Sequence, residues 1–138
     1  MSETLAKIED FLSEHHLLSL ATIGDELWCC SLFYVFDADT VAFIVATDPE
    51  TLHGQNIRYN HTVAGTVALE TKTVGKIQGI QFRGVMRLAD EHKELYYKAY
   101  PYALAMNPTL WSIRLDEIKF TDNRLGFGKK LTWKREEF

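Results

Sequence analysis

The sequence predicts an α+β domain built on a small antiparallel β-barrel of about six to seven strands with peripheral helices. Two observations carry this. Apolar and β-branched runs of strand length follow one another through short polar turns of the hairpin kind, and segments with helical signals interrupt that pattern at three points.

In chain order, Leu5, Ile8, Phe11 and Leu12 recur at helical spacing and predict an amphipathic helix from Ser2 to about His15. His15 and His16 stand at its carboxyl end, where the helix dipole favours a cation, so a capping role is expected of them. Residues 17–23 read as a strand, and Gly24-Asp25-Glu26 as a tight turn into a second strand over 27–36. A turn over 37–40 leads to an unbroken apolar strand over 41–46. Asp48 as N-cap and Pro49 as first helical residue predict a central helix beginning at Pro49. Residues 62–69 make the next strand and, after a polar turn over 71–76, residues 77–88 another. The stretch from Asp90 to about Tyr100 is helical in composition, and Pro101 and Pro108 bracket a short irregular or helical piece. Strands over 110–121 and 130–135, joined through 123–128, close the chain.

Three strands show more than their existence. In 27–36 both alternating sets are apolar: Trp28, Cys30, Leu32, Tyr34 and Phe36 on one side, Leu27, Cys29, Phe33 and Val35 on the other. A barrel has one inside, so the second face needs cover from a helix, a second subunit or a large planar ligand. In 77–88, Phe82, Gly84, Met86 and Leu88 share one face, and Gln81, Arg83, Val85 and Arg87 the other, which is solvent or site. In the strand from Leu110 the apolar phase passes from Trp111, Ile113 and Leu115 to Ile118 and Phe120, which predicts a bulge near Asp116 and Glu117.

Composition narrows the function classes. A chain of 138 residues supports one domain, and 15 Lys and Arg against 19 Asp and Glu argue against a broad nucleic-acid face. No apolar run is long enough to span a bilayer, and the polar, amphipathic start is unlike a signal peptide, so a cytoplasmic location is expected. Cys29 and Cys30 point to opposite faces of a strand and cannot readily bond to each other; buried structural thiols are expected, with a ligand contact as the alternative. The five histidines lack an i, i+4 pair, so no metal site is expected. Lys129, Lys130, Lys134 and Arg135 read as a solvated basic edge, with contact to an anionic ligand as the alternative.

The segment 41–57, VAFIVATDPETLHGQNI, runs from a core strand through a polar turn into a helix carrying Thr47, Thr51 and His53. First-turn N–H groups, two hydroxyls and an imidazole are suited to surround a phosphate. On residue chemistry alone the plainer reading, a capped helix after a core strand, is preferred, because Asp48 and Glu50 oppose an anion.

In their order, these pieces resemble the FMN-binding split barrel of the pyridoxamine 5′-phosphate oxidase-like superfamily, and more closely a bacterial branch of it. Thr47 to His53 is similar to that family's T-x(3)-S-R-K phosphate motif, with Thr51 at the serine and His53 at the lysine. IQFRGVMRL, 80–88, resembles the strand whose glutamine contacts the flavin, here Gln81; IKFTDNR, 118–124, resembles the closing strand and loop. The resemblance implies a single split-barrel domain over 1–138 and a homodimer with two FMN sites at the subunit interface. It implies cofactor contacts at Trp28, Cys30, Ala46, Thr47, Thr51, His53 and Gln81, with Arg124 toward the substrate. Leu52-His53 replaces the motif's Arg-Lys pair, so a titratable imidazolium is expected as the phosphate anchor and FMN is expected to bind weakly. Arg124-Leu125-Gly126 lacks the histidine of the oxidase's Arg-x-His pair, which argues against pyridoxamine phosphate as substrate. Two functions remain: an FMN-dependent oxidoreductase or reductase acting on a small molecule, or a protein that stores or senses FMN, haem or another planar ligand on the same scaffold.

Overall fold

A computed structural model describes residues 2–136. Seven strands form one antiparallel sheet: β1 (Leu17–Ile23), β2 (Leu27–Asp37), β3 (Ala42–Ala46), β4 (Thr62–Ala68), β5 (Gln78–Leu88), β6 (Leu110–Asp122) and β7 (Lys130–Lys134). Their order is β3-β2-β1-β4-β5-β6-β7, and pairing of β3 with β6 closes the first six into a barrel. The α+β barrel read from the sequence is therefore the fold. β7 pairs only with β6 and lies outside the closure.

Alternation sets the interior. Leu18, Leu20, Tyr34, Phe43, Val45, Val63, Val67, Ile80, Phe82, Met86, Ile113 and Leu115 point inward and are buried. Phe43 lies at the centre, with ring centroids 4.9 Å from Tyr34 and 5.0 Å from Phe82. The Phe82 ring occupies the space a side chain at position 65 would need: a Cβ on Gly65 would lie 2.5 Å from it. The bulge falls where the phase change placed it. Arg83 pairs with Glu117 and Gly84 with Leu115, so Asp116 is the extra residue of β6.

Helix α1 (Glu3–Ser13) buries Leu5, Ile8, Phe11 and Leu12 in the barrel core, and its first turn is capped by Ser2 Oγ, which accepts from Leu5 N at 3.0 Å. The histidines after it do not cap it. His15 stacks on Phe11 and His16 meets Phe33 edge-on, so aromatic packing decides their placement. Helices α2 (Leu52–Tyr59), α3 (Lys93–Ala99) and α4 (Ala103–Met106) complete the set. Tyr96 on α3 and Ala103 on α4 form a second small core with Ile44, Ala89 and Leu110, outside the barrel.

Four expectations need correction. Cys29 is exposed, because β2 presents its second face to solvent instead of to a helix, and Cys30, on the face that packs against the core, is only half-buried. Leu88 is 62% exposed, since the last residue of β5 projects beyond the barrel that buries Phe82 and Met86. β3 begins at Ala42, not Val41; Val41 has φ +52°, a strained value for a β-branched residue. Its carbonyl is held from two sides, by Leu115 N at 3.1 Å and Arg135 Nη2 at 3.0 Å. Arg135 thus belongs to the structure of the barrel rim and not to a solvated edge, and the loss of its hydration lowers its pKa.

Candidate functional site

The site forms where β3 ends. Beyond half-buried Ala46, Thr47 N donates to Thr109 O at 3.1 Å and Thr47 O accepts from Trp111 Nε1 at 2.9 Å, so the exit of the strand is fixed from the β6 side. Asp48 then folds a side-chain turn: its Oδ1 accepts from Glu50 N, and its carbonyl accepts from Thr51 Oγ1, both at 2.8 Å. This places Thr51, not Asp48, as the N-cap of α2, with Oγ1 accepting from Gly54 N at 3.1 Å. The helix starts after Thr51 because the Asp48-Pro49 turn folds back against it. A Cβ on Gly54 would lie 2.6 Å from Pro49 O, so the close approach requires glycine.

His53 is 8% exposed, and its Nε2 lies 2.6 Å from Thr47 Oγ1 and 3.1 Å from Thr51 Oγ1. The Thr51 hydroxyl proton is committed to Asp48 O, so Thr51 Oγ1 faces the ring as an acceptor. A proton on Nε2 satisfies both hydroxyl oxygens and leaves the Thr47 O–H free to donate outward. Burial lowers the His53 pKa, which favours the neutral ring. The expected imidazolium anchor is thus a neutral imidazole without ligand, and its role in this geometry is to hold two hydroxyls. The N–H groups of Leu52 and His53 have no hydrogen-bond partner among the described residues, and in this tautomer the Thr47 hydroxyl is a third donor. Arg58 is engaged by Glu50 at 2.9 Å. The donors at the corner are therefore dipoles rather than cations, and the Asp48 carboxylate stands in the same turn.

β2 borders this corner. It pairs with β1 from Leu27 to Phe33, but with β3 only from Tyr34 to Asp37. Continuing the latter register sets Thr47 opposite Leu32, so a β2 edge without a strand beside it runs from the corner toward Trp28 for about 13 Å. Trp28, 49% exposed, and Cys30, half-buried, share one alternation along it. Burial first, then Cys29, pushes the Cys30 thiol up to about 11, so it is a neutral wall group.

Gln81 and Arg124 stand apart. Gln81 is exposed at mid-β5, opposite Thr66 and Lys119, seven positions from Leu88, which pairs with Trp111 at the corner. That is about 23 Å of strand, beyond the reach of the corner within one chain. Arg124 lies near α1 and donates to buried Asp122 through Nε at 3.0 Å and Nη2 at 2.8 Å; these bonds hold the Asp122 carboxyl below its ordinary range. Sequence reasoning missed Trp111 and Thr109 as clamps on Thr47. Nothing local marks them, because they act across the β3–β6 closure.

No family model matches the chain. It is similar to the UPF0306 protein of Klebsiella pneumoniae (strain 342), 48% identical over 140 residues that cover 97% of this chain and 95% of that one. A second relative is the UPF0306 protein YhbP of Escherichia fergusonii, 47% identical over 96% of this chain and 95% of that one. Among solved structures it is similar to a haem-binding protein from Mycobacterium smegmatis, with TM-score 0.76 and 14% identity over 97% of this chain and 59% of that one. It is also similar to a protein from Listeria innocua assigned as a pyridoxamine 5′-phosphate oxidase, with TM-score 0.68 and 14% identity over 86% and 98%. A FAD-binding protein from Mesorhizobium loti gives TM-score 0.66 and 15% identity over 82% and 88%. At these identities the likeness establishes the fold, the split barrel of the pyridoxamine 5′-phosphate oxidase-like proteins.

Proposed function

We propose, for a chain that belongs to the UPF0306 family, that it is an FMN-binding flavoprotein working as a homodimer, with the phosphate at the Thr47–His53 corner. The observation that carries this reading is the pair of unfilled Leu52 and His53 N–H groups at the start of a helix whose dipole favours an anion, which the Thr47 hydroxyl joins when the His53 proton sits on Nε2. The donor set fits a phosphate. The open β2 edge supplies unpaired backbone groups for the polar rim of the isoalloxazine, with Trp28 and Cys30 as its wall.

A second copy completes the reading. The outer face of β1, β2 and β4 carries exposed Leu17, Ile23, Leu27 and Phe33 around small Ser19, Ala21, Cys29 and Ala64, a largely apolar surface suited to self-association. Gln81 stands on the neighbouring β5 and reaches a flavin only from the partner's side. When bound, FMN supplies hydride or single-electron transfer. The chain's part is to hold the phosphate, wall the ring with a neutral thiol and an indole, and shield it from water. A haem on this scaffold would need an axial ligand, and the corner histidine has its Nε2 engaged by two hydroxyls, which favours FMN.

Adding FMN to the purified protein, then recording its visible spectrum and molecular mass after gel filtration, tests the proposal. One retained FMN per chain in a dimer is expected, bleached by NADPH and restored by air if it is a reductase. A monomer that retains no flavin contradicts the reading.

A further inference from the structure

Beside the corner lies a cleft of about 630 Å³ whose lining includes Pro49, Ile57, Arg58, His61, Arg87, Leu88 and Trp111. The phosphate reading does not use it. Its volume falls in the range of small-molecule sites, and its floor is apolar: Pro49, largely buried Ile57 and Trp111, and Leu88, 62% exposed although its alternation partners Phe82 and Met86 are buried. The cations differ in availability. Arg58 is paired with Glu50 at 2.9 Å, whereas Arg87, exposed on β5, makes no ion pair or hydrogen bond among the described residues. His61 Nδ1 lies 3.2 Å from Met86 O; a proton on Nδ1 makes that contact a hydrogen bond and leaves Nε2 uncommitted.

We propose that this cleft binds a flat aromatic carboxylate, its ring on Leu88 and Trp111 and its carboxylate on Arg87, with His61 Nε2 beside it. One uncommitted guanidinium matches a single negative charge, and its planar fork suits a carboxylate. The Trp111 indole separates this ligand from the phosphate corner, because its N–H is directed to Thr47 O. The inference does not rest on the flavin reading.

The test uses 2-naphthoate and its uncharged analogue 2-naphthamide, titrated by calorimetry and by the NMR signal of the Trp111 indole N–H. Naphthoate is expected to bind one per chain and to shift that signal, with the amide at least about tenfold weaker. Arg87→Gln should reduce naphthoate to the level of the amide. Leu88→Glu, also at an exposed position, should abolish binding of both, and FMN or inorganic phosphate should not displace naphthoate. No naphthoate binding, equal affinity for acid and amide, unchanged affinity in Arg87→Gln, or displacement by phosphate would each overturn the proposal. Failure of FMN to bind while naphthoate binds would leave it standing and count only against the flavin reading.

Discussion

At the start of β3, His92 meets the buried carboxylate of Asp37, whereas beyond its end His53 meets only the hydroxyls of Thr47 and Thr51. Burial alone would raise the Asp37 pKa, but hydrogen bonds from His92, from the Thr40 hydroxyl and from Asp39 N outweigh it and hold the carboxyl below its ordinary range. The bond to Asp37 in turn raises the His92 pKa. No carboxylate hydrogen-bonds to His53 among the described residues, and burial lowers its pKa. The first end of the strand is therefore compensated from within. The second leaves donors unfilled, which is the condition for taking an anion from outside.

The largest effect that separates the two ends should come from Asp37→Ala, which removes three hydrogen bonds to one carboxylate. A loss of roughly 2–4 kcal/mol in urea unfolding is expected, with FMN affinity unchanged. A loss below about 1 kcal/mol would mean that the pair is not holding α3 and the β2–β3 turn. Gly54→Ala should act at the other end. Its Cβ displaces the Asp48-Pro49 turn, for about 1–3 kcal/mol of stability and at least about tenfold in FMN affinity. Unchanged FMN binding in this variant would detach the turn from the site.

The smallest effect is a pair of opposite pH slopes. His92 binds its proton more tightly folded than unfolded, so its contribution is complete below about pH 6.5 and fades as pH rises through the raised folded value. His53 is the reverse: its contribution is present above about pH 6.5 and fades as pH falls toward the lowered folded value. Stability measured across this range should lose its alkaline decline in His92→Gln and its acid decline in His53→Gln. The same change in both variants would show that the two rings share one environment.

Much of the barrel was legible because alternation is local. The bulge at Asp116 followed from the shift of phase between Leu115 and Ile118, and both faces of β5 were read correctly as far as Met86. The start of α2 was not legible, since Asp48 and Thr51 are both capping residue types and the choice depends on how closely the turn lies against Gly54. Val41's positive φ was hidden for a similar reason: the groups that hold its carbonyl come from Leu115 and Arg135, far along the chain. At the site, the motif resemblance singled out Thr47, Thr51 and His53, which the fold brings together. Residue types could not show that the imidazole is desolvated, because its neighbours are set by the closure of the barrel.

The most direct test of the central claim compares FMN with riboflavin, which differ by the phosphate, in fluorescence titrations of the native protein and of Thr47→Val. The account predicts FMN at least about tenfold tighter than riboflavin in the native protein, and loss of that preference in the variant. Equal affinity for the two flavins, or a preference that survives Thr47→Val, would contradict it.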